Sequence, residues 1–247
     1  MRNFGAWVDD AYVLDPGECW LGAGLSYSRL PYANQLDLPV MDVSVGVARR
    51  VQIAATVPAS TLRYPDGFRD RYLGDTYLSA KIGLRGAGDG VGVAVAPVLE
   101  VLSDGSALDA GGEPIGRVHW ALPIDLEYDG QRWRTYGSVG YFSRGAVFGS
   151  ATVDVSAGSN AGVLGILSLT RSTAEPLVFD TGTTTSRTRA DASAGAYARV
   201  GSSASVYALV GRTISEQDPY ASSLSLSVGV SLRAAHPRTG GTSVPRK

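Results

Sequence analysis

The run Thr76-Tyr77-Leu78-Ser79-Ala80-Lys81-Ile82-Gly83-Leu84-Arg85 alternates without a break. Successive side chains of an extended strand point to opposite sides. Thr76, Leu78, Ala80, Ile82 and Leu84 therefore share one face, and Tyr77, Ser79, Lys81, Gly83 and Arg85 share the other. The pattern recurs at 224–233, where Leu224, Leu226, Val228, Val230 and Leu232 oppose Ser225, Ser227, Gly229, Ser231 and Arg233. It recurs again where Val118, Trp120, Leu122, Ile124, Leu126 and Tyr128 oppose His119, Ala121, Pro123, Asp125, Glu127 and Asp129. Period two over ten or more residues reads as strand, and helical periodicity is almost absent elsewhere.

Working outward, twelve such runs are found: 17–29, 40–48, 50–58, 74–86, 90–102, 116–128, 131–142, 146–157, 161–171, 187–200, 202–213 and 220–233. The ninth, Ala161 to Arg171, is apolar on both faces. The connections alternate in length. Those at Arg49-Arg50, 86–89, Asp129-Gly130, 158–160 and Gly201-Ser202 are tight, whereas 30–39, 59–73, 103–115 and 172–186 are long. The connection at 215–219 is intermediate, and Ser143-Arg144-Gly145 breaks the alternation. Short turns at one end, longer loops at the other and an even strand count form the pattern of an outer-membrane barrel.

The dimensions agree. A strand of ~12 residues at ~3.3 Å per residue is ~40 Å long. Tilted by ~40° it rises ~30 Å, enough for an apolar band of ~25 Å. Twelve such strands close into a ring of ~24 Å diameter, leaving a lumen of ~10 Å or less. Soluble sandwiches, jelly rolls and lipocalin-like barrels alternate as well. Their strands are usually ~5–6 residues, however. The polar face here is mostly Ser, Gly, Ala, Thr and Tyr with scattered charges, which suits a crowded aqueous lumen. The expectation is an all-β, twelve-stranded antiparallel up-and-down transmembrane barrel, with 1–16 as a lead-in, 17–233 as one barrel domain and 234–247 as a disordered tail.

Composition narrows the function classes. The 247 residues carry 22 Lys and Arg against 23 Asp and Glu, so no strong field attracts nucleic acid. One cysteine, Cys19, leaves no intrachain disulfide, and two histidines are too few for a histidine metal cluster. No run of 18 apolar residues reads as a membrane helix. Residues 1–10 lack the apolar stretch of a leader, which points either to an intracellular chain or to a sequence that starts after its leader. Pro16-Gly17-Glu18 ahead of Cys19 does not read as a lipoprotein cleavage site.

A resemblance rests on two stretches. Residues 39–58 run Pro39-Val40-Met41-Asp42-Val43-Ser44-Val45-Gly46-Val47, then Arg49-Arg50-Val51-Gln52-Ile53, and end Val57-Pro58. Residues 74–84 run Gly74-Asp75-Thr76-Tyr77-Leu78-Ser79-Ala80-Lys81-Ile82-Gly83-Leu84, followed by a strand ending near Leu99 to Asp104. In this order the chain resembles the bacterial outer-membrane family described as a putative component of the meta-pathway of phenol degradation. The resemblance implies a bacterial outer-membrane location and a transporter-like role for small aromatic or hydrophobic solutes.

With the apolar face outward, the inward charges are Asp42, Asp75, Lys81, Arg85, Glu100, Asp125, Glu127, Arg134, Asp154, Arg189, Asp191 and Arg199. Together with Tyr77 and His119, these are the candidate lumen residues. They either line a solute path or knit the interior through ion pairs. Lys81 is the centre of the expectation, paired with Glu100, Asp125 or Glu127. His119 reads as a satisfied lumen histidine rather than a catalytic one, since no nucleophile motif accompanies it. The Asp125/Glu127 pair lacks a calcium loop, and 86–90 is a hairpin rather than a phosphate loop. Trp20, Tyr27, Trp120, Tyr128, Trp133, Tyr141 and Tyr220 are expected in interface girdles. Tyr32, Tyr64, Phe68, Tyr72 and Phe179 are expected near the mouth. No catalysis and no cofactor are expected. The expected partners are outer-membrane lipid, a small-molecule solute and the barrel-assembly machinery, with no nucleic acid and a monomeric state. A non-transporting structural barrel and a soluble ligand-binding β protein are the other readings.

Overall fold

The computed structural model describes residues 2–3, 6–103, 116–173, 186–215 and 221–234. Twelve strands form one closed antiparallel barrel. They are β1 (Cys19–Arg29), β2 (Asn34–Ala48), β3 (Val51–Arg63), β4 (Arg69–Leu73 continued by Thr76–Arg85) and β5 (Val91–Val95 continued by Val98–Val101). Then follow β6 (Val118–Asp129), β7 (Trp133–Phe142), β8 (Ala146–Ser156), β9 (Ala161–Ser172), β10 (Thr188–Val200), β11 (Ala204–Thr213) and β12 (Leu224–Ala234). Each strand pairs with its neighbours in sequence, and β12 closes on β1 from Leu224↔Arg29 to Ala234↔Cys19.

The molecule is apolar outside and polar inside. Leu78, Ile82, Leu122, Ile124, Leu226 and Val228 are all exposed, while Lys81, Glu100, Asp125, Glu127, Ser138, Thr152 and Asp191 are buried. A soluble β protein reverses this order. Strand β9 resolves the same way, with Val163, Leu167 and Leu169 outward and Ile166 buried. Trp120 and Tyr141 stack at 5.8 Å nearer the loop end, and Tyr128 and Trp133 stack at 5.3 Å at the short-turn end. Tyr27 pairs with Leu36 and Leu226 and points outward. Trp20 departs from the girdle expectation. It pairs with Ser44 and Arg233, in the inward row of Gly22 and Gly24, because alternation counted from Leu21 places it on the lumen side of the rim. Tyr220 and Phe179 lie outside the described residues, as does the tail beyond Ala234.

Two connections are shorter than the sequence suggests. Strand β2 begins at Asn34 and β3 runs on to Arg63, so 30–39 and 59–73 shrink to turns at 30–33 and 64–68. Their flanks are polar, and polar alternation extends a hairpin beyond the apolar belt as well as within it. The wall also has two halves. From β6 through β12 the ladders run in unshifted register. From β1 to β5 they carry bulges at Gly24/Ser26, Asp37/Val40, Gly46/Ala48 and Gly83/Arg85. Prolines 39, 58 and 97 sit in this irregular half. Proline cannot donate to a ladder, and the Asp37/Val40 shift falls at Pro39 and opposite Pro58. At the break in β5, Ala80 donates to the Pro97 carbonyl and Ala96 to the Pro123 carbonyl, both at 3.1 Å.

Candidate functional site

The lumen is occupied by residues 8–18, a strap ahead of the first barrel strand. Residues 8–18 run from the rim beside β1 across the inner face of the irregular half-wall. Gly17 N–H donates to the Gly46 carbonyl at 2.8 Å, and Gly46 N–H donates to the Glu18 carbonyl at 2.9 Å. A Cβ on Gly46 would stand 2.1 Å from the Asp15 carbonyl oxygen, so the strap passes where only glycine lets two backbones approach. Val13 and Ala11 continue past Gly83 and Gly92. Leu14 N–H donates to Gln52 Oε1 at 3.1 Å, and Asp9 N–H donates to Ser138 Oγ at 3.1 Å. The two-residue strand Ala6–Trp7 pairs with Arg2–Asn3 and lies beside β8 and β9. Val8, Ala11 and Leu14 are buried.

Two cations hold this strap. Lys81 is 4% exposed and lies 2.8 Å from Asp9 Oδ2 and 3.5 Å from Asp10 Oδ1. Its Nζ also donates to the Asp10 carbonyl at 2.9 Å. Arg134 Nη2 reaches Asp10 Oδ2 at 2.5 Å and Glu127 Oε1 at 2.7 Å. Burial by itself would push the Asp9 carboxyl up, but the charge of the Lys81 ammonium, together with other nearby positive charge and the hydrogen bonds from Lys81 and the Asp10 N–H, brings it below its ordinary value. At the strap's far end Glu18 pairs with Arg233 of the closing strand.

The Lys81 expectation is therefore corrected. Among the described residues its ionic partners are Asp9 and Asp10, not Glu100, Asp125 or Glu127. Strand spacing puts β4, β5 and β6 side by side, as the sequence implies, but it cannot show a segment threading the interior. The one available signal was the acidic pair Asp9-Asp10 ahead of any strand. Gln52, Ser138, Asp9 and Asp10 were missed for the same reason.

The other candidates divide into groups. Asp125 is fully buried. Its Oδ1 accepts from Ser138 Oγ at 2.7 Å, and its Oδ2 has no hydrogen-bond partner among the described residues. Tyr77, Glu100 and His119 stand level across β4, β5 and β6. Tyr77 OH donates to Glu100 Oε1 at 2.6 Å, and Arg144 approaches Glu100 at 3.8 Å. His119 Nε2 is buried and has no hydrogen-bond partner among the described residues. Register explains its neighbour, since the even spacing to Asp125 and Glu127 runs along the strand, away from it. Tyr77, Val98, Ala121 and Phe148 form a small buried apolar cluster flanked by Phe142.

Across the lumen, Tyr197 OH donates to Asp154 at 3.1 Å, and Arg189 pairs with Asp191 at 3.0 Å. Asp42 and Asp75 accept from Thr56 Oγ1 and the Ser103 N–H. Arg199 keeps the inward row at the short-turn rim, opposite Ser205. Arg85 does not. The bulge after Gly83 sets it level with Val93, between the inward Gly92 and Ala94, so it turns out of the lumen row. Tyr197 and Tyr207 lie along the wall, where a Cβ on Gly162 or Gly229 would meet their rings at 2.5 and 2.6 Å.

On the outer surface, at the β5 break, a cavity of about 680 Å³ is bounded by outward Ile53, Leu78, Leu99 and Trp120 and by inward Val98 and Ala121. The last two also belong to the inner apolar cluster, so the wall is one side chain thick there.

No family model matches the sequence, and no curated protein does. The fold is shared with solved outer-membrane proteins. An outer membrane channel from Pseudomonas putida F1 superposes with TM-score 0.65 at 11% identity, over 91% of this chain and 98% of that one. The NanC porin gives 0.58 at 10% identity, over 86% and 98%. The CymD monoaromatic hydrocarbon channel gives 0.52 at 9% identity, over 90% of each chain. The chain thus has the architecture of a twelve-stranded outer-membrane β-barrel.

Proposed function

We propose that this chain is a bacterial outer-membrane channel for small solutes, with apolar and aromatic molecules as its preferred cargo. One observation carries the reading: a closed barrel, apolar outside and polar inside, encloses a lumen barred by a strap held mainly through side-chain contacts. A covering of that kind can be displaced without breaking the barrel. The three solved relatives named above are described as channels or a porin, and one is described as taking monoaromatic hydrocarbons. The apolar cavity at Pro97 and Trp120 supports the choice of cargo, because apolar lining selects by burial rather than by charge. The chain performs no chemistry on its cargo in this reading. The barrel functions as a monomer and reaches the membrane through the barrel-assembly machinery.

The strap itself favours a second reading, a structural barrel that transports nothing. Reconstitution separates the two. Purified protein in liposomes is tested for single-channel conductance and for uptake of toluene and glucose. Toluene entry above that of empty liposomes supports the channel. Entry of neither solute, together with no conductance even after removal of residues 1–14, leaves the structural reading.

A further inference from the structure

We propose that Lys81 is a partner-exchange latch. It grips the strap through Asp9 and Asp10 while the strap is seated, and turns to Asp125 when the strap leaves, so that the barrel has a second, unobstructed resting state. This rests on the channel reading and adds its regulation.

The geometry supports the exchange in three ways. First, Lys81 is buried on the inner wall, and its ionic contacts are with strap atoms: Asp9 Oδ2 at 2.8 Å and Asp10 Oδ1 at 3.5 Å. When the strap departs, the ammonium loses both carboxylates and is left with lumen water alone unless the wall supplies another. Second, a replacement stands ready. Asp125 is fully buried, and its Oδ2 has no hydrogen-bond partner among the described residues while the strap is seated.

The register places the two groups within reach. Ile82, Val95 and Ile124 stand level, so Lys81 and Asp125 sit one residue to either side of that level, two strands apart. Two strand spacings and two residues of rise separate their Cα atoms by ~12 Å. The extended lysine stem spans ~6 Å and the aspartate ~3 Å, leaving room for one ionic contact of ~3 Å. Third, the strap's other cation has the same arrangement. Arg134 bonds Asp10 at 2.5 Å and already holds Glu127 of the wall at 2.7 Å. Each of the two cations that bind Asp9 and Asp10 therefore has a wall carboxylate within reach, so release of that end of the strap strands neither.

Asp125 is then dispensable when the strap is seated and needed when it is not. A double-mutant cycle on folding into lipid vesicles measures this directly. Asp125→Asn alone is expected to change the folding equilibrium constant less than about twofold. In the Asp9→Asn, Asp10→Asn background, the same change is expected to cost at least about tenfold. Hydrogen exchange at residues 9–14 is expected to quicken about tenfold in the Asp9→Asn, Asp10→Asn variant. It stays slow in Asp125→Asn. Single-channel recordings are made on the same variants. If Asp125→Asn costs the same in both backgrounds, the exchange is wrong, whatever the conductance does. Non-additive costs with no conductance in any variant keep the exchange and reject the channel reading. Should either protein fail to fold, Lys81→Met is measured in both backgrounds, where the exchange requires it to remove the Asp125 coupling.

Discussion

Ile124→Arg tests the membrane placement most directly. Ile124 lies on β6, four residues from Trp120 and four from Tyr128, the two aromatic levels of that strand. At ~3.4 Å per residue and a tilt of ~40°, the two levels are ~20 Å apart along the barrel axis. Ile124 is therefore at the midplane, and it is 42% exposed on the outer wall. Arginine facing lipid at midplane costs about 2–4 kcal/mol, falling to about 0–1 kcal/mol near the interface. In equilibrium terms, the midplane substitution lowers the folding equilibrium constant by about 30-fold to 1,000-fold. Urea-titrated folding into lipid vesicles, followed by tryptophan fluorescence, compares Ile124→Arg with Tyr128→Arg at the edge of the belt. Equal costs at the two positions, or a smaller cost at Ile124, would mean that this face does not meet hydrocarbon and would remove the basis for a membrane barrel.

Three further outcomes are expected. Gly46→Val drives a Cβ toward the Asp15 carbonyl, 2.1 Å away, and so unseats the strap; limited proteolysis should cut within residues 8–18 faster than in the parent, and unchanged cutting argues against the close approach. The Asp9 carboxyl is held below its ordinary value, so its contribution to strap docking is fully present above the unfolded pKa of ~3.9 and is lost as pH falls through the lower folded value. Amide exchange at residues 9–14, read at fixed exchange chemistry, should stay slow at neutral pH and rise only in strong acid; release near pH 6 contradicts the assignment. Tyr77→Phe removes the hydroxyl that donates to the buried Glu100 carboxylate at 2.6 Å and should cost about 1.5–3 kcal/mol in the same urea assay, with an unmoved midpoint as the refuting result.

The barrel was legible because its rule is local. Alternation at period two, as in Thr76–Arg85 and Val118–Asp129, states both the strand and the side it turns to water. Where backbone pairing shifts by one residue, that rule misassigns. Arg85 follows a bulge, which sent it to the wrong face. Trp20 was placed by residue type, although counting from Leu21 puts it inward. The strap was illegible for a different reason. Residues 8–18 carry no periodic pattern, and their partners on the wall lie between 28 and 221 positions away. Only a closed ring brings Asp9 to Ser138. The same holds for Tyr77, Glu100 and His119, whose shared level depends on the pairing offsets of three strands.

The strap also fixes an order of events during assembly. Its residues are made before Lys81, Arg134 and Ser138, which stand on two different strands, β4 and β7. Contacts of such long sequence separation form late, because the loop they close must already be ordered. The strap can neither nucleate the barrel nor guide it. Its anchor Glu18 meets Arg233 beside the β1–β12 junction, which exists only once the ring has shut. A docked strap is therefore a certificate of completed closure: an unfinished barrel exposes residues 8–18 to proteases, and a finished one hides them.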